Sequence, residues 1–175
     1  FITGGKIRQC RDLVEKNLDY IHDKCNSTIS TAASIHSPQS PIVSRVAQEF
    51  GLKSIIGFGN TTIEKALKHK MMQKCKELGS ELVVLSESQG FNNVLYHNLH
   101  KLSETTPMFK ILFGYAAQSH RESIITRIAE QIENVDCDVL YVPVGSGVTL
   151  SGILEGVKMF QKQFKVIGLQ PFGHD

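Results

Sequence analysis

The sequence predicts an α/β fold built on a mainly parallel sheet, and two observations lead to that prediction. Segments with apolar residues at helical spacing alternate with short, continuous apolar runs along the 175 residues. Runs such as 82–85 and 139–142 lack the polar alternation of a half-exposed strand and are typical of parallel strands buried on both faces. Because parallel strands are joined by crossover helices, we expect a three-layer α/β/α arrangement.

The elements follow one another without a low-complexity linker or a solenoid repeat. Ile7, Leu13 and Ile21 belong to a helically spaced apolar set that predicts one helix over 6–24. Strands are expected at 27–33, 53–58, 81–86, 109–113, 138–144 and 165–169. The helices between them are expected from about residue 41, up to residue 79, and over 93–102, 121–133 and 150–160. Pro41 suits a first helical turn, where its missing N–H group costs nothing.

Composition narrows the function classes. With 41% hydrophobic and 21% charged residues, the chain is typical of a globular protein with a real core. The net charge of +2 argues against a nucleic-acid partner, which usually requires a clustered basic face. The densest group of basic residues favours a solvated surface, because its members are distributed around a helix. These residues are Lys65, Lys68, Lys70, Lys74 and Lys76.

The cysteine pattern and hydropathy predict a cytoplasmic location. The four cysteines form no CxxC pair, which favours reduced thiols over a disulfide framework or a zinc site. No apolar run approaches the roughly 20 residues that cross a bilayer, so no membrane association is expected. No metal site is expected either, because the cysteine spacing disfavours a zinc site.

The segment over 142–152 carries the strongest local signal. A buried strand runs into Gly145, Ser146, Gly147, Val148 and Thr149, and a helix follows. Glycines allow close backbone approach, and the free N–H groups at a helix start favour a phosphate dianion. The alternative is a plain strand-to-helix turn that needs glycine only for its geometry. The spacing is neither GxxxxGK[ST] nor GxGxxG, since Leu150 stands at the third glycine position, so a small phosphorylated ligand is favoured over a nucleotide or dinucleotide.

Two earlier segments are candidates for the rest of a site. Lys6 opens a helix directly after two glycines, a position that suits an imine-forming amine, although for this segment alone an ordinary surface lysine is the better explanation. The polar loop over 35–41 presents Ser37, Gln39 and Ser40. These residues could bind a ligand, or Ser40 could simply cap the following helix.

Taken in order, these segments resemble the fold type II, or tryptophan synthase β-like, family of pyridoxal-phosphate enzymes. The nearest branch is that of 1-aminocyclopropane-1-carboxylate deaminase and D-cysteine desulfhydrase. That branch has a Gly-Gly-Asn-Lys turn, a Gln-Ser-Asn loop and a Gly-Ser-Gly-x-Thr loop. Here 3–8, 39–41 and 145–149 match them in the same order. Pro41 stands at the position of the family's asparagine, which bonds the ring hydroxyl, so this chain would lack that donor.

The resemblance implies a pyridoxal 5′-phosphate enzyme that acts on an amino acid or amine by deamination, β-elimination or β-replacement. Lys6 would hold the cofactor as a Schiff base and move the substrate α-proton. Ser40 would be catalytic, by contacting the substrate carboxylate or assisting proton transfer. Ser37 and Gln39 would contact the substrate, and residues 145–149 would hold the phosphate. A homodimer is implied as well. The alternative hypotheses are a non-catalytic phosphate-binding module and a subunit that contributes half a site.

The resemblance also implies a domain organisation. Residues 27–115 would form a small α/β domain, and 1–26 with 116–175 would belong to the larger cofactor-binding domain. Members of the family continue for roughly another half-domain, which supplies the group facing the pyridine nitrogen. We therefore expect the C-terminal part of that domain, and some N-terminal residues, to be missing from this chain.

Three further features are weaker candidates. His97 and His100 share a helix face and could bind a metal, but no third ligand has suitable spacing. Tyr115 and His120 could line a pocket or serve in turns. Residues 59–62 could cradle an anion, although Asn60 or Thr61 as a helix cap explains them as well.

Overall fold

The computed structural model describes residues 5–113 and 121–170. Its helices are α1 (Gly5–Lys16), α2 (Leu18–Lys24), α3 (Gln39–Glu49), α4 (Ile63–Ala66), α5 (Lys70–Glu77), α6 (Asn92–Thr105), α7 (Arg121–Ala129) and α8 (Val148–Met159), with a 3-10 turn at Glu130–Ile132. Its strands are β1 (Thr28–Ala32), β2 (Lys53–Gly59), β3 (Glu81–Ser86), β4 (Phe109–Lys110), β5 (Val139–Pro143) and β6 (Lys165–Leu169). The chain divides into two compact units, Phe1–Phe113 and Gly114–Asp175.

The first unit is built on a four-stranded parallel sheet with strand order β3-β2-β1-β4. The chain adds β2 and then β3 on one side of β1, and it returns to place β4 on the other side. Strand order therefore reverses between β1 and β4. In open α/β sheets, ligands bind beyond the carboxyl ends of the strands at such a reversal. This topology makes the end of β1 the first place to look for a site.

Helices cover both faces of this sheet, as the predicted three-layer arrangement requires. The crossover helices α3 and α5 pack on the strands they connect, and α6 belongs to the connection that returns in the opposite direction. Because parallel crossovers are right-handed, a reversal of direction puts α6 on the opposite face. There Leu95 and Leu99 are fully buried against Ala32 and Met108. The predicted α/β class with a parallel sheet is confirmed.

An ion pair joins the first helix to the core of the first unit. Both Nε and Nη2 of Arg11 donate to one carboxylate oxygen of Glu49, at 3.0 and 2.7 Å. Partial burial raises the pKa of Glu49, but the hydrogen bonds from Arg11 and Arg45 outweigh it and hold the pKa below its ordinary value. This pair joins the middle of α1 to the last residue of α3.

The second unit contains the parallel pair β5–β6 and the helices α7 and α8. Gly152 and Gly156 on α8 allow α7 to approach closely, because an added Cβ at Gly156 would lie 2.6 Å from the carbonyl oxygen of Ala129. The prediction that 139–142 is buried on both faces is wrong here, since the side chain of Tyr141 is 61% exposed. Within the described residues β5 has one neighbouring strand and no cover over that position.

Several predicted boundaries need correction. The helix predicted over 6–24 is divided at Asn17, whose side-chain amide donates to the carbonyl of Leu13 and competes with the helical bond there. The helix predicted to end at residue 79 is two short helices, α4 and α5. The strand predicted at 109–113 covers Phe109–Lys110.

Residues 1–26 belong to the first unit, where α1 packs on α3. The family resemblance had implied that they belong with residues 116–175. The domain division of the complete protein remains a prediction. None of the described helices combines the length and hydropathy needed to span a membrane.

Candidate active site

A buried polar cluster lies at the point between β1 and β4 where the strand order reverses. Thr31, near the end of β1, donates its hydroxyl to the carbonyl of Ile111 at 2.8 Å. The side-chain amide of Gln39 donates to the Thr31 hydroxyl at 2.7 Å and to the carbonyl of Leu112 at 3.1 Å. Gln39 therefore ties the start of α3 to the segment that leaves β4. Since only 1% of Gln39 is exposed, its amide serves the fold, and its predicted contact with substrate remains untested.

Lys6 lies at this same edge of the sheet. It is the second residue of α1 and is exposed, and its Nζ stands 5.8 Å from the ring centroid of Phe113. Phe113 directly follows Leu112, whose carbonyl is held by Gln39. The amine is thereby placed beyond the carboxyl ends of β1 and β4, where a ligand of this sheet is expected. At under about 6 Å, the ring attracts the amine in its charged form.

Ser37, in the loop between β1 and α3, and Ser40, in the first turn of α3, differ in their burial. Ser37 is half-buried, and its hydroxyl accepts a hydrogen bond from the backbone N–H of Gln39, the first residue of α3, at 3.3 Å. Ser40 is fully buried in the first turn of α3, and its hydroxyl has no hydrogen-bond partner among the described residues. The N-cap of α3 is Pro38, so the alternative that Ser40 caps this helix is wrong. The contacts of Ser37 and Ser40 with a substrate remain predictions.

Sequence reasoning missed Tyr96 of α6. Its hydroxyl is buried close to polar groups of Thr31, Gln39 and Phe113, yet none of them satisfies hydrogen-bond geometry. Burial raises the pKa of Tyr96 to about 12, which favours the protonated form of the phenol. No sequence signal indicated this position, because its neighbours lie far away along the chain.

The predicted phosphate loop has the local geometry of an anion site. Gly147 has a φ of 79° and is the N-cap of the 12-residue helix α8. No side chain caps this end, so the N–H groups of the first turn, which have no partner within the helix, are available to a ligand. Nothing lies within 4 Å of the positions that a Cβ would take at Gly145 or Gly147. Ser146 and Thr149 are exposed, and Val148 is buried under the loop.

The residues that would fit pyridoxal phosphate therefore form two separate groups. Lys6 belongs to the first unit, and residues 145–149 belong to the second. Each group is suited to its predicted role by its own geometry. Their convergence on one cofactor remains a prediction.

The weaker candidates do not form a second site within the described residues. His100 contacts Lys110, with Nδ1 at 3.0 Å from Nζ, and the described residues contain no group of three or more potential metal ligands. Tyr115 and His120 lie outside the described residues. The cap of α4 is Thr62, whose hydroxyl accepts from the N–H of Lys65 at 3.3 Å, and not Asn60 or Thr61.

Comparisons with known proteins agree with this fold. No protein-family model matches the chain. The O-seryl-dTMP PLP-dependent decarboxylase of Salmonella phage ViI is 28% identical over 177 residues, which cover 92% of this chain and 39% of that protein. A solved structure of an ACC deaminase homologue superposes with a TM-score of 0.71 at 21% identity, over 98% of this chain and 52% of the other. A pyridoxal 5′-phosphate-dependent aspartate racemase superposes with a TM-score of 0.67 at 16% identity, over 95% and 46%.

The chain thus spans about half the length of these structural relatives and less of the phage protein. The chain has the tryptophan synthase β-like fold of the fold type II pyridoxal-phosphate-dependent enzymes, as the sequence resemblance predicted.

Proposed function

We propose that this protein is a pyridoxal-phosphate-dependent enzyme that acts on an amino acid or amine. The observation that carries the proposal is the position of the Lys6 amine, beyond the carboxyl ends of β1 and β4 and 5.8 Å above the Phe113 ring. Pyridoxal 5′-phosphate is the cofactor that the comparisons support. A non-catalytic phosphate-binding module is not favoured, since the relatives are enzymes.

The chain's own residues divide the work of binding and proton transfer. Residues 145–149 would hold the phosphate through backbone N–H groups and the hydroxyls of Ser146 and Thr149. When bound, the cofactor supplies an electron sink for a bond broken at the substrate α-carbon. Lys6 would hold the cofactor covalently, and its Nζ would then accept and return the α-proton. Ser37 would contact the substrate through its hydroxyl, and Gln39 and Ser40 lie next to it in the first turn of α3.

The reaction subclass belongs to the proposal as well. Deamination, β-elimination and β-replacement are the outcomes that the motifs favour, but the relatives include a racemase and a decarboxylase. These reactions share the first half of the chemistry and differ in which α-carbon bond breaks and where the proton returns. That choice depends on groups that orient the substrate, and the described residues include only some of them.

A second candidate is decarboxylation of an amino acid that is carried on a thymidine nucleotide. It is favoured by the phage relative, which matches 92% of this chain and is named for the substrate O-seryl-dTMP. The substrate would then extend well beyond the amino acid and carry a phosphate of its own. A homodimer and a cytoplasmic location remain predictions; sedimentation would test the first.

Lys6 labelling tests the proposed function directly. We expect the purified protein to acquire visible absorbance with pyridoxal phosphate, and borohydride to fix the cofactor on the peptide that contains Lys6. A Lys6→Ala variant should lose the covalent label, whereas Lys16→Ala on the same helix should keep it. A label retained in Lys6→Ala, or an unlabelled parent protein, would overturn the assignment.

A further inference from the structure

A group of basic side chains extends from α4 to the first residue of α5, outside the residues assigned to the candidate active site. We name residues 65–70, which contain Lys65, Lys68, His69 and Lys70, the basic turn. The three lysines are exposed, and none of them pairs with a carboxylate within the described residues. By contrast, Lys74 on the same α5 is paired with Glu77 at 2.8 Å. The basic turn therefore presents cations that the fold leaves unneutralised.

The basic turn adjoins the candidate substrate loop. Its histidine ring meets the ring of His36 edge-on, with centroids 4.5 Å apart and an interplanar angle of 90°. His36 lies in the loop that follows β1, next to Ser37. Because α4 follows β2, the basic turn lies at the carboxyl-end edge of the sheet, on the same side as the Lys6 amine.

The other end of α5 points to the opposite edge. After α5 the chain reaches Ser80, whose hydroxyl bonds that of Ser54 at 2.7 Å, at the amino end of β2. Lys74 and Lys76 thus lie toward the amino-end edge, away from the site. The five lysines that look like one basic run in the sequence are divided by the fold into two groups.

We propose that the basic turn binds the phosphate of the nucleotide that carries the amino-acid substrate. This inference rests on the second candidate function, and it gives the phosphate a defined place. Glu64 and Glu87 line the cavity beside Lys65, so their carboxylates would repel a phosphate there. The anion is expected instead near Lys68, His69 and Lys70. A mild net charge of +2 is compatible with this site, since one phosphate needs only a few lysines.

The test compares two sets of substitutions in the full chain with pyridoxal phosphate added. Thymidine 5′-monophosphate is titrated by calorimetry, with thymidine as the ligand that lacks phosphate. A fluorescent single-stranded oligothymidylate is titrated by anisotropy. These arms distinguish a free nucleotide from a nucleotide within DNA, because both sources share the phosphate. Binding of either phosphate ligand by the parent protein, and weaker binding of thymidine, supports the proposal.

The triple variant Lys65→Gln/Lys68→Gln/Lys70→Gln should bind the phosphate ligands at least tenfold more weakly. Because the basic turn is proposed to bind one phosphate, the slope of log affinity against log salt for the oligonucleotide should become shallower by about 0.7. The control Lys74→Gln/Lys76→Gln should bind like the parent. Equal weakening in both variants, no change in the triple variant, or no binding by the parent would overturn the proposal.

The same samples separate this inference from the proposed function. Borohydride labelling of Lys6 reports the cofactor chemistry and does not require the basic turn, so we expect the label to persist in the triple variant. Failure of labelling in the parent protein would refute the proposed function alone. If labelling is intact but phosphate binding is unchanged in the triple variant, only the inference is refuted.

Discussion

Replacement of Gln39 by leucine tests whether the buried amide holds the site together. The substitution removes the hydrogen bonds that the side-chain amide donates to the Thr31 hydroxyl and to the Leu112 carbonyl. A buried neutral hydrogen bond contributes about 1 kcal/mol net, so the first unit should lose about 2 kcal/mol of unfolding free energy. With a urea dependence of about 2 kcal/mol per molar, the unfolding midpoint should fall by about 1 M.

The assay is urea unfolding followed by far-ultraviolet circular dichroism, because the chain contains no tryptophan. Gln48→Leu is the matched control, since Gln48 is an exposed glutamine on the same helix. Its midpoint should move by less than about 0.3 M, as expected of a surface substitution. The reasoning fails if the two variants unfold at the same urea concentration. If Gln39→Leu keeps its stability but loses activity, Gln39 acts on substrate and not on the fold.

Three further substitutions give expectations of different sign. Ser40→Ala should stabilise the protein by about 1 kcal/mol in the same urea assay, because it removes a buried hydroxyl without a partner; a loss of turnover alongside it would support the predicted catalytic role, and a loss of stability would contradict this account. Gly156→Ala should destabilise the second unit by about 1 kcal/mol in thermal unfolding, since close contact with the Ala129 carbonyl outweighs the gain in helix propensity. Glu155→Ala, at an exposed position, is its control and should not lower the midpoint. Burial raises the pKa of Tyr96 from its ordinary 10.0 to about 12 in the folded protein. The contribution to the free energy of unfolding is therefore complete below about pH 10, the ordinary pKa, and is lost as pH rises from about 10 to about 12. Tyr96→Phe should therefore show a shallower loss of stability over that range, and an unchanged pH profile would exclude the tyrosine as its cause.

The sequence predicts those parts of the fold that depend on local pattern. The strands at 81–86 and 165–169 have the predicted bounds, because a short apolar run between polar residues specifies its own ends. The prediction that α8 begins at a glycine loop followed from backbone geometry and helix-end electrostatics. By contrast, the break at Asn17 depends on a side-chain bond to Leu13 that competes with the helix, and periodicity alone does not show it.

The candidate site was predictable in its motifs and not in its contacts. Gln39 reaches Leu112 across 73 positions and Thr31 reaches Ile111 across 80, and no local pattern records such pairs. For this reason the sequence did not show that the fold buries Gln39 and Ser40. Their contact with substrate remains a prediction. The neighbourhood of Tyr96 and the contact between His36 and His69 were missed for the same reason. Motif spacing showed which loops matter, but only the packing shows which side chains in those loops are accessible.

The parallel pair β5–β6 has a consequence for how the second unit behaves in solution. Among the described residues each of these strands has one neighbour, so each keeps an outer edge of unpaired N–H and C=O groups. Leu169, on β6, is 49% exposed. Open edges with apolar side chains readily accept another strand, whatever polypeptide provides it. The second unit should consequently be the more prone to concentration-dependent association, and light scattering should rise less with concentration when Tyr141 is replaced by lysine.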